Sequence, residues 1–171
     1  MLPEWLPPKI ALNGTLQEDY ETLHSIYKNE IEFEEIEIEG IPVRHNHLPD
    51  PKTPPYTYGF THLITRDVQG RFGKMRVYNP ERAQKLCWVA PLLKNYKDPS
   101  VSCFWFETPI GATLGESLAI WLEEGDYILI LRWVSISQTE KIVVTAHHVD
   151  RTNRKYWQDK KNRSTSRILT F

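Results

Sequence analysis

Chemistry in this chain gathers around histidines and arginines set among apolar residues. Residues 58–66, Tyr-Gly-Phe-Thr-His-Leu-Ile-Thr-Arg, hold His62 inside an aromatic and β-branched pattern and end on Arg66. That composition predicts a short strand. Period two then puts Phe60, His62 and Ile64 on one face, with Thr61, Leu63 and Thr65 on the other. A histidine so placed is either a half-buried core residue or an acid/base group, because imidazole titrates near neutral pH. A second cluster lies in residues 142–149, Ile-Val-Val-Thr-Ala-His-His-Val. As a strand it places Val143, Thr145 and His147 on one face and Val144, Ala146 and His148 on the other. Adjacent histidines on a regular strand point apart, so they do not read as a metal pair. One of them can share a surface with His62.

Cations surround the first cluster. Residues 69–76, Gln-Gly-Arg-Phe-Gly-Lys-Met-Arg, form a glycine-rich basic loop from which Arg71, Lys74 and Arg76 project. Such a loop is either solvated surface or a set of phosphate contacts. Asn79-Pro80-Glu81 is a helix start, with a cap residue, proline at the first position and an acid in the first turn. Arg82 follows it. Its guanidinium makes either a surface salt bridge or an anion contact helped by the free backbone N–H groups there. His45 and His47 would need further ligands to hold a metal, and no Cys or carboxylate cluster stands beside them.

The remaining sequence must position these groups. A chain of 171 residues, 40% of them apolar, suits one domain with a sizeable core. Three segments are expected: residues 1–57 as a lead-in, a helix and a proline-rich loop; residues 58–163 as the core; residues 164–171 as a tail. Thr15 and Glu18 have capping-box spacing, and Leu16, Tyr20, Leu23 and Tyr27 follow as one helical stripe. Residues 31–39 either extend this helix or form an acidic strand ended by Gly40. Five prolines between residues 41 and 55 predict loop. Ala83, Leu86, Cys87, Ala90 and Leu93 make the apolar face of the helix begun at Asn79, which Pro91 should interrupt. Residues 101–106, 117–122, 127–134 and 142–149 are strands joined by short turns, an antiparallel meander. Residues 150–163 are a basic helix. The fold class is therefore α+β: an antiparallel sheet of about four to five strands with helices packed on it.

Charge narrows the partners. The net charge of −1 carries no global nucleic-acid signature. It hides an acidic stretch from residue 18 to 39, with one lysine, and a basic stretch from 151 to 167 that includes Lys161. These are either two solvated faces that attract each other or a basic arm for a polyanion. Aromatics among the cations of that helix can stack on bases or pin the helix to the sheet. Cys87 and Cys103 show no paired spacing, so a reduced, cytoplasmic protein is expected. No apolar run approaches membrane-spanning length, and residues 1–8 do not read as a signal peptide.

Several pieces occur in a recognisable order: His62-Leu63, Glu81-Arg82-Ala83, residues 88–91 (Trp-Val-Ala-Pro), Asp98-Pro99, Trp121-Leu122, residues 126–132 (Asp-Tyr-Ile-Leu-Ile-Leu-Arg) and Thr145-Ala146. In this order and spacing the chain resembles a group of prophage-borne proteins within the barnase–EndoU–colicin–RelE-like (BECR) nuclease class, over roughly residues 58–162. The resemblance implies metal-independent RNA cleavage without a cofactor, as in toxins and phage–host conflict proteins. It points to His62, Arg82 and Thr145 as site residues. Two departures stand out. In the family pattern a threonine follows His-Leu directly, whereas here Ile64 intervenes before Thr65. The two residues after Thr-Ala are usually aromatic, whereas here they are His147 and His148.

The leading expectation is thus a ribonuclease acting on RNA, tRNA among the substrates, with a cognate inhibitor or antitoxin as a protein partner. His62 would serve as acid or base and His147 as a second proton carrier. Arg82 and Thr145 would hold the phosphate, with Arg66, Arg71, Lys74, Arg76 and Lys161 binding RNA. The alternative is a non-catalytic RNA- or protein-binding module on the same scaffold. Convergence of His62, Arg82 and Thr145 on one open cleft distinguishes a reaction site from such a module.

Overall fold

The computed structural model describes residues 1–32, 34–71, 73–110, 113–133 and 141–164. Helix α1 (Leu16–Ile26) starts at the expected capping box. Glu18 N–H donates to Thr15 Oγ1, and Thr15 N–H donates back to Glu18 Oε2 at 2.7 Å. A wider, π-helical turn follows (Tyr27–Glu32), and Leu23, Tyr27 and Ile31 enter the core from this continuous stripe. The acidic segment then leaves the helix for a small hairpin, β1 (Glu37–Ile38) and β2 (Ile41–Arg44). Its two-residue turn, Glu39-Gly40, has φ of 55° and 73°, as a right-twisted hairpin requires. Strand β2 falls within the proline-rich stretch expected to be loop. Pro42 is tolerated because β2 pairs only briefly with each neighbour.

Residues 58–64 are helix α2 (Tyr58–Ile64), which corrects the strand expected there. Phe60, Leu63 and Ile64 are spaced three and four apart and are all buried, which is helical periodicity. Aromatic and β-branched content suggested a strand, but tertiary burial of this stripe overrides propensity. His62 therefore shares no strand face with Phe60 and Ile64, and it is half-buried while they lie in the core. The glycine-rich loop is likewise ordered, as a two-stranded hairpin of β3 (Thr65–Gly70) and β4 (Gly73–Tyr78).

Asn79 caps α3 (Pro80–Gln84), as the sequence predicts. The chain tightens into a 3-10 turn at Leu86–Trp88 and restarts as α4 (Val89–Lys94). Pro91 thus falls in a first turn, where its missing N–H costs nothing. The meander then runs β5 (Val101–Ile110), β6 (Thr113–Leu122), β7 (Tyr127–Trp133) and β8 (Lys141–His148), each antiparallel to the next. Strand β2 extends this sheet by pairing parallel to β8 at Lys141 and Ile142. The chain is α+β, with helices packed on a largely antiparallel sheet.

Both sheet faces are covered. The larger core joins Leu118, Ile120, Tyr127, Leu129 and Ala146 to α1–α4. On the other face Phe104, Phe106, Ile128 and Ile130 meet Trp157 of α5 (Arg151–Arg163). Trp157 pins that helix to the sheet while Tyr156 is exposed. The N-terminal lead-in is tied to the same body. Trp5 Nε1 donates to Asp98, Trp88 Nε1 donates to the Pro7 carbonyl at 2.8 Å, and Ile10 N–H donates to Gln84 O. No described helix is long and apolar enough to cross a membrane.

The placement of α2 depends on Gly59. A Cβ there would lie 2.6 Å from Tyr27 Oη and 2.9 Å from the Asn46 carbonyl. Gly59→Ala is expected to cost about 1–3 kcal/mol, measured by urea denaturation; an unchanged midpoint would show that this contact relaxes freely.

Candidate anion-binding cleft

One cleft of about 500 Å³ collects most of the residues singled out above. It is built from the end of α2, the β3–β4 hairpin, the start of α3, the end of β8 and the start of α5. Two of its arginines are held by Thr65, the buried residue that ends α2. The Thr65 hydroxyl donates to the Thr61 carbonyl and accepts from Arg76 Nε at 2.9 Å. The Thr65 carbonyl accepts from Arg76 Nη2 at 3.4 Å and from Arg82 Nη1. Two guanidiniums from different elements thus converge on one residue.

Arg82 is aimed by its local structure. Asn79 N–H donates to the Ile64 carbonyl at 2.9 Å, which locks the start of α3 to the end of α2. Asn79 Oδ1 accepts the Arg82 backbone N–H at 2.9 Å. The N–H groups of Arg82 and Ala83 are both consumed in capping and in the first helical turn, so the backbone help expected for an anion contact at Arg82 is absent at these two positions. Burial, and next the charge of Arg76, lower the Arg82 pKa to about 10. It remains a cation at neutral pH. Arg76 is also lowered, first by burial; Asp67, 3.5 Å from it, opposes that shift.

The opposite wall comes from β8 and α5. Thr145 and His147 pair with Ile130 and Ile128, on the sheet face that carries α5. The His147 ring lies 5.5 Å from the Trp157 ring. Burial first, then Arg82, push the His147 pKa down to about 4, with Asp150 opposing. His147 is therefore a neutral imidazole at pH 7. His148 belongs to the other face, yet it lines the same cleft. The two histidines do part to opposite faces, as alternation expects, and the position of β8 brings both to one cleft. Among the described residues β2 pairs with β8 only at Lys141 and Ile142, so the cleft opens beside the unpaired edge at residues 145–148. Side chains from both faces reach an edge. A register shift between Ile130 and Leu131 marks a bulge just before this segment, a common device beside sites.

Of the residues named from sequence, His62, Arg66, Arg76, Arg82, Thr145 and His147 line the cleft. Arg71 and Lys74 sit at the far end of the hairpin and do not line it. Lys161 lies elsewhere: its ammonium donates to Ser102 at 2.8 Å and pairs with Glu123. Sequence reasoning did not name Asp67, Asn79, Glu81, His148, Asp150 and Asn153 as site residues. Asn79 was legible as a cap, and Asp150 also caps, accepting from Thr152 and Asn153 N–H. Nothing in the pattern told that either cap borders a cavity. His45 and His47 lie apart from the cleft. His45 is buried, which pushes its pKa down to about 4, and His47 bonds Glu32 at 2.9 Å. Among the described residues no group of three His, Cys, Asp or Glu side chains could hold a metal ion.

No family model matches the chain, and no curated protein or solved structure does. The arrangement itself defines the site: an open, polar cleft with two converging arginines and several histidines, suited to an oxyanion flanked by proton carriers.

Two measurements probe these electrostatics. Arg82→Ala removes a cation beside His147, so the His147 midpoint in an NMR titration should rise from about 4 towards the ordinary histidine value; no movement would mean burial alone sets it. His45 and His147 both have folded pKa values below their unfolded ones. The unfolded chain therefore binds more protons in between, and stability falls as pH drops below about 6.5. Each should contribute a loss of roughly 1–2 kcal/mol by pH 5. A flat stability from pH 6.5 to 5 would contradict their burial as neutral rings.

Proposed function

We propose that the cleft binds a phosphodiester of RNA and that the protein is a metal-independent endoribonuclease. The observation that carries this reading is the convergence of Arg76 and Arg82 on Thr65, in one cleft with His62, His147 and Thr145. RNA transesterification requires a base for the ribose 2′-OH, an acid for the leaving 5′-oxygen and cations for the charge growing on phosphate. Each requirement has a resident group here.

In this scheme the two guanidiniums hold the non-bridging oxygens, and Thr145 adds a hydroxyl donor. His147, neutral at pH 7, accepts the 2′-OH proton. The 2′-oxygen attacks phosphorus, the bond to the 5′-oxygen breaks, and His62 delivers a proton to that oxygen. The products are a 2′,3′-cyclic phosphate and a free 5′-OH. Preorganised cations of this kind supply about 3–4 kcal/mol of transition-state stabilisation in other enzymes. The scheme agrees with the activity implied by the resemblance to BECR nucleases, and with it a toxin or phage–host conflict role, tRNA as a substrate and an inhibitory protein partner. Cys87 and Cys103, both free and buried, suit a cytoplasmic setting.

A second reading, an RNA-binding module without cleavage, is favoured by one feature. A histidine whose pKa is about 4 is a weak base, and Asp67, Glu81 and Asp150 also line the cleft.

The test is incubation of purified protein with total tRNA and a structured messenger in EDTA. Wild type should leave 2′,3′-cyclic or 3′-phosphate ends. His62→Ala should slow cleavage about 10²–10⁴-fold, and Arg82→Ala about 10²–10³-fold. RNA bound but never cut, with or without divalent metal, would establish the binding module instead.

A further inference from the structure

Lys85 is a buried cation with no part in the scheme above. It is only 3% exposed, although lysine is rarely found inside. It follows the end of α3 and lies over the Trp88 and Tyr127 rings, 5.0 and 5.7 Å from their centroids. Its ammonium donates to the Gly125 carbonyl at 2.9 Å and meets His148 Nδ1 at 3.0 Å. Burial, and next Lys9, lower its pKa to about 8, while Asp126 and Glu81 oppose the shift. At pH 7 most molecules therefore carry the ammonium.

An ammonium has donors and no acceptor, whereas a neutral imidazole carries one donor and one acceptor nitrogen. A contact between a protonated Lys85 and His148 Nδ1 therefore requires Nδ1 to accept. The ring proton must then sit on Nε2, at the ring edge away from the lysine. His148 borders the cleft, so that edge is the one left to meet a ligand. Titratable groups close to His148 include Tyr127, its cross-strand partner, His147, and Asp150, whose carboxylate is held below the usual range first by its bond from Thr152.

We infer that Lys85 is a positioning residue that fixes His148 in its Nε2–H tautomer, making His148 a hydrogen-bond donor to a phosphate oxygen in the cleft. The inference rests on the ribonuclease reading for the identity of the ligand, though not for the tautomer. It separates the three histidines by role. His62 and His147 exchange protons, and His148 adds a neutral N–H to the guanidiniums that hold the anion. It also gives the buried cation a purpose. A neutral donor in that place would orient the ring as well, so charge is not the essential property. The donated proton is.

The test is an imidazole ¹H–¹⁵N correlation spectrum of the full chain labelled with ¹⁵N-histidine at pH 7, with the His148 signals assigned from His148→Gln. The expected result is a protonated Nε2 and an unprotonated Nδ1. Adding inorganic phosphate should move the Nε2 signal. Lys85→Met should shift both nitrogens towards tautomer averaging, and Lys85→Gln, which keeps an N–H donor on a side chain one bond shorter, should restore part of the wild-type pattern. In cleavage assays Lys85→Met should lose tenfold or more and Lys85→Gln should recover part of it. A wild-type spectrum with the proton on Nδ1 would overturn the inference without any variant, even where Lys85→Met fails to fold. Cleavage-inactive wild type with the Nε2–H tautomer would instead remove the ribonuclease reading and leave the Lys85–His148 assignment standing.

Discussion

Two guanidiniums on one threonine are the constraint from which the site follows. Like charges side by side, half-buried, repel, and each loses hydration. Burial holds both arginines below their ordinary pKa, and at Arg82 the charge of Arg76 adds to it. Thr65 makes the arrangement tolerable by presenting a carbonyl to both and a hydroxyl to one. A carbonyl satisfies donors without cancelling their charge. The positive potential therefore remains available to a ligand, and water or an anion is the natural complement.

That constraint propagates outward. Thr65 stands where it does because α2 ends there, and α2 sits where Gly59 lets it approach Tyr27 and Asn46. Asn79 joins the ends of α2 and α3 and orients Arg82. The same potential crosses the cleft to His147, where it adds to burial in keeping the ring neutral. One local convergence of charge thus reinforces, on the opposite wall, the neutrality that burial imposes. Lys85 acts similarly from behind, with hydrogen bonding as the means.

The site also exploits a sheet edge. Strand β8 pairs fully with β7 but only briefly with β2. The edge beside residues 145–148 is covered by α2 and α3, and the cleft lies where this cover is incomplete. Exposed edges are usually blunted by charge or by covering elements. Here the cover brings His62 and Arg82, the hairpin brings Arg66 and Arg76, and the edge brings His147 and His148.

Local chemistry was legible in the residues alone. The capping box at Thr15, the Asn79-Pro80 start, the four-stranded meander and the basic terminal helix all follow from periodicity, turn residues and caps, which act within a few residues of sequence. His62 and His147 were likewise visible as histidines in apolar surroundings and Arg82 as a guanidinium at a helix start, while Thr145 was pointed to by the family resemblance. The state of residues 58–64 was not legible, because a short apolar run fits either period and only its burial against α1 and the 41–57 segment decides. Nor could the sequence tell that Lys161 is spent on Glu123, or that Lys85, set in a helical pattern like a surface lysine, is buried against two rings. Pairing of charges and the opening of a cleft depend on residues far apart in the chain, so only the tertiary structure decided which cations stand ready for a ligand and which histidines share it.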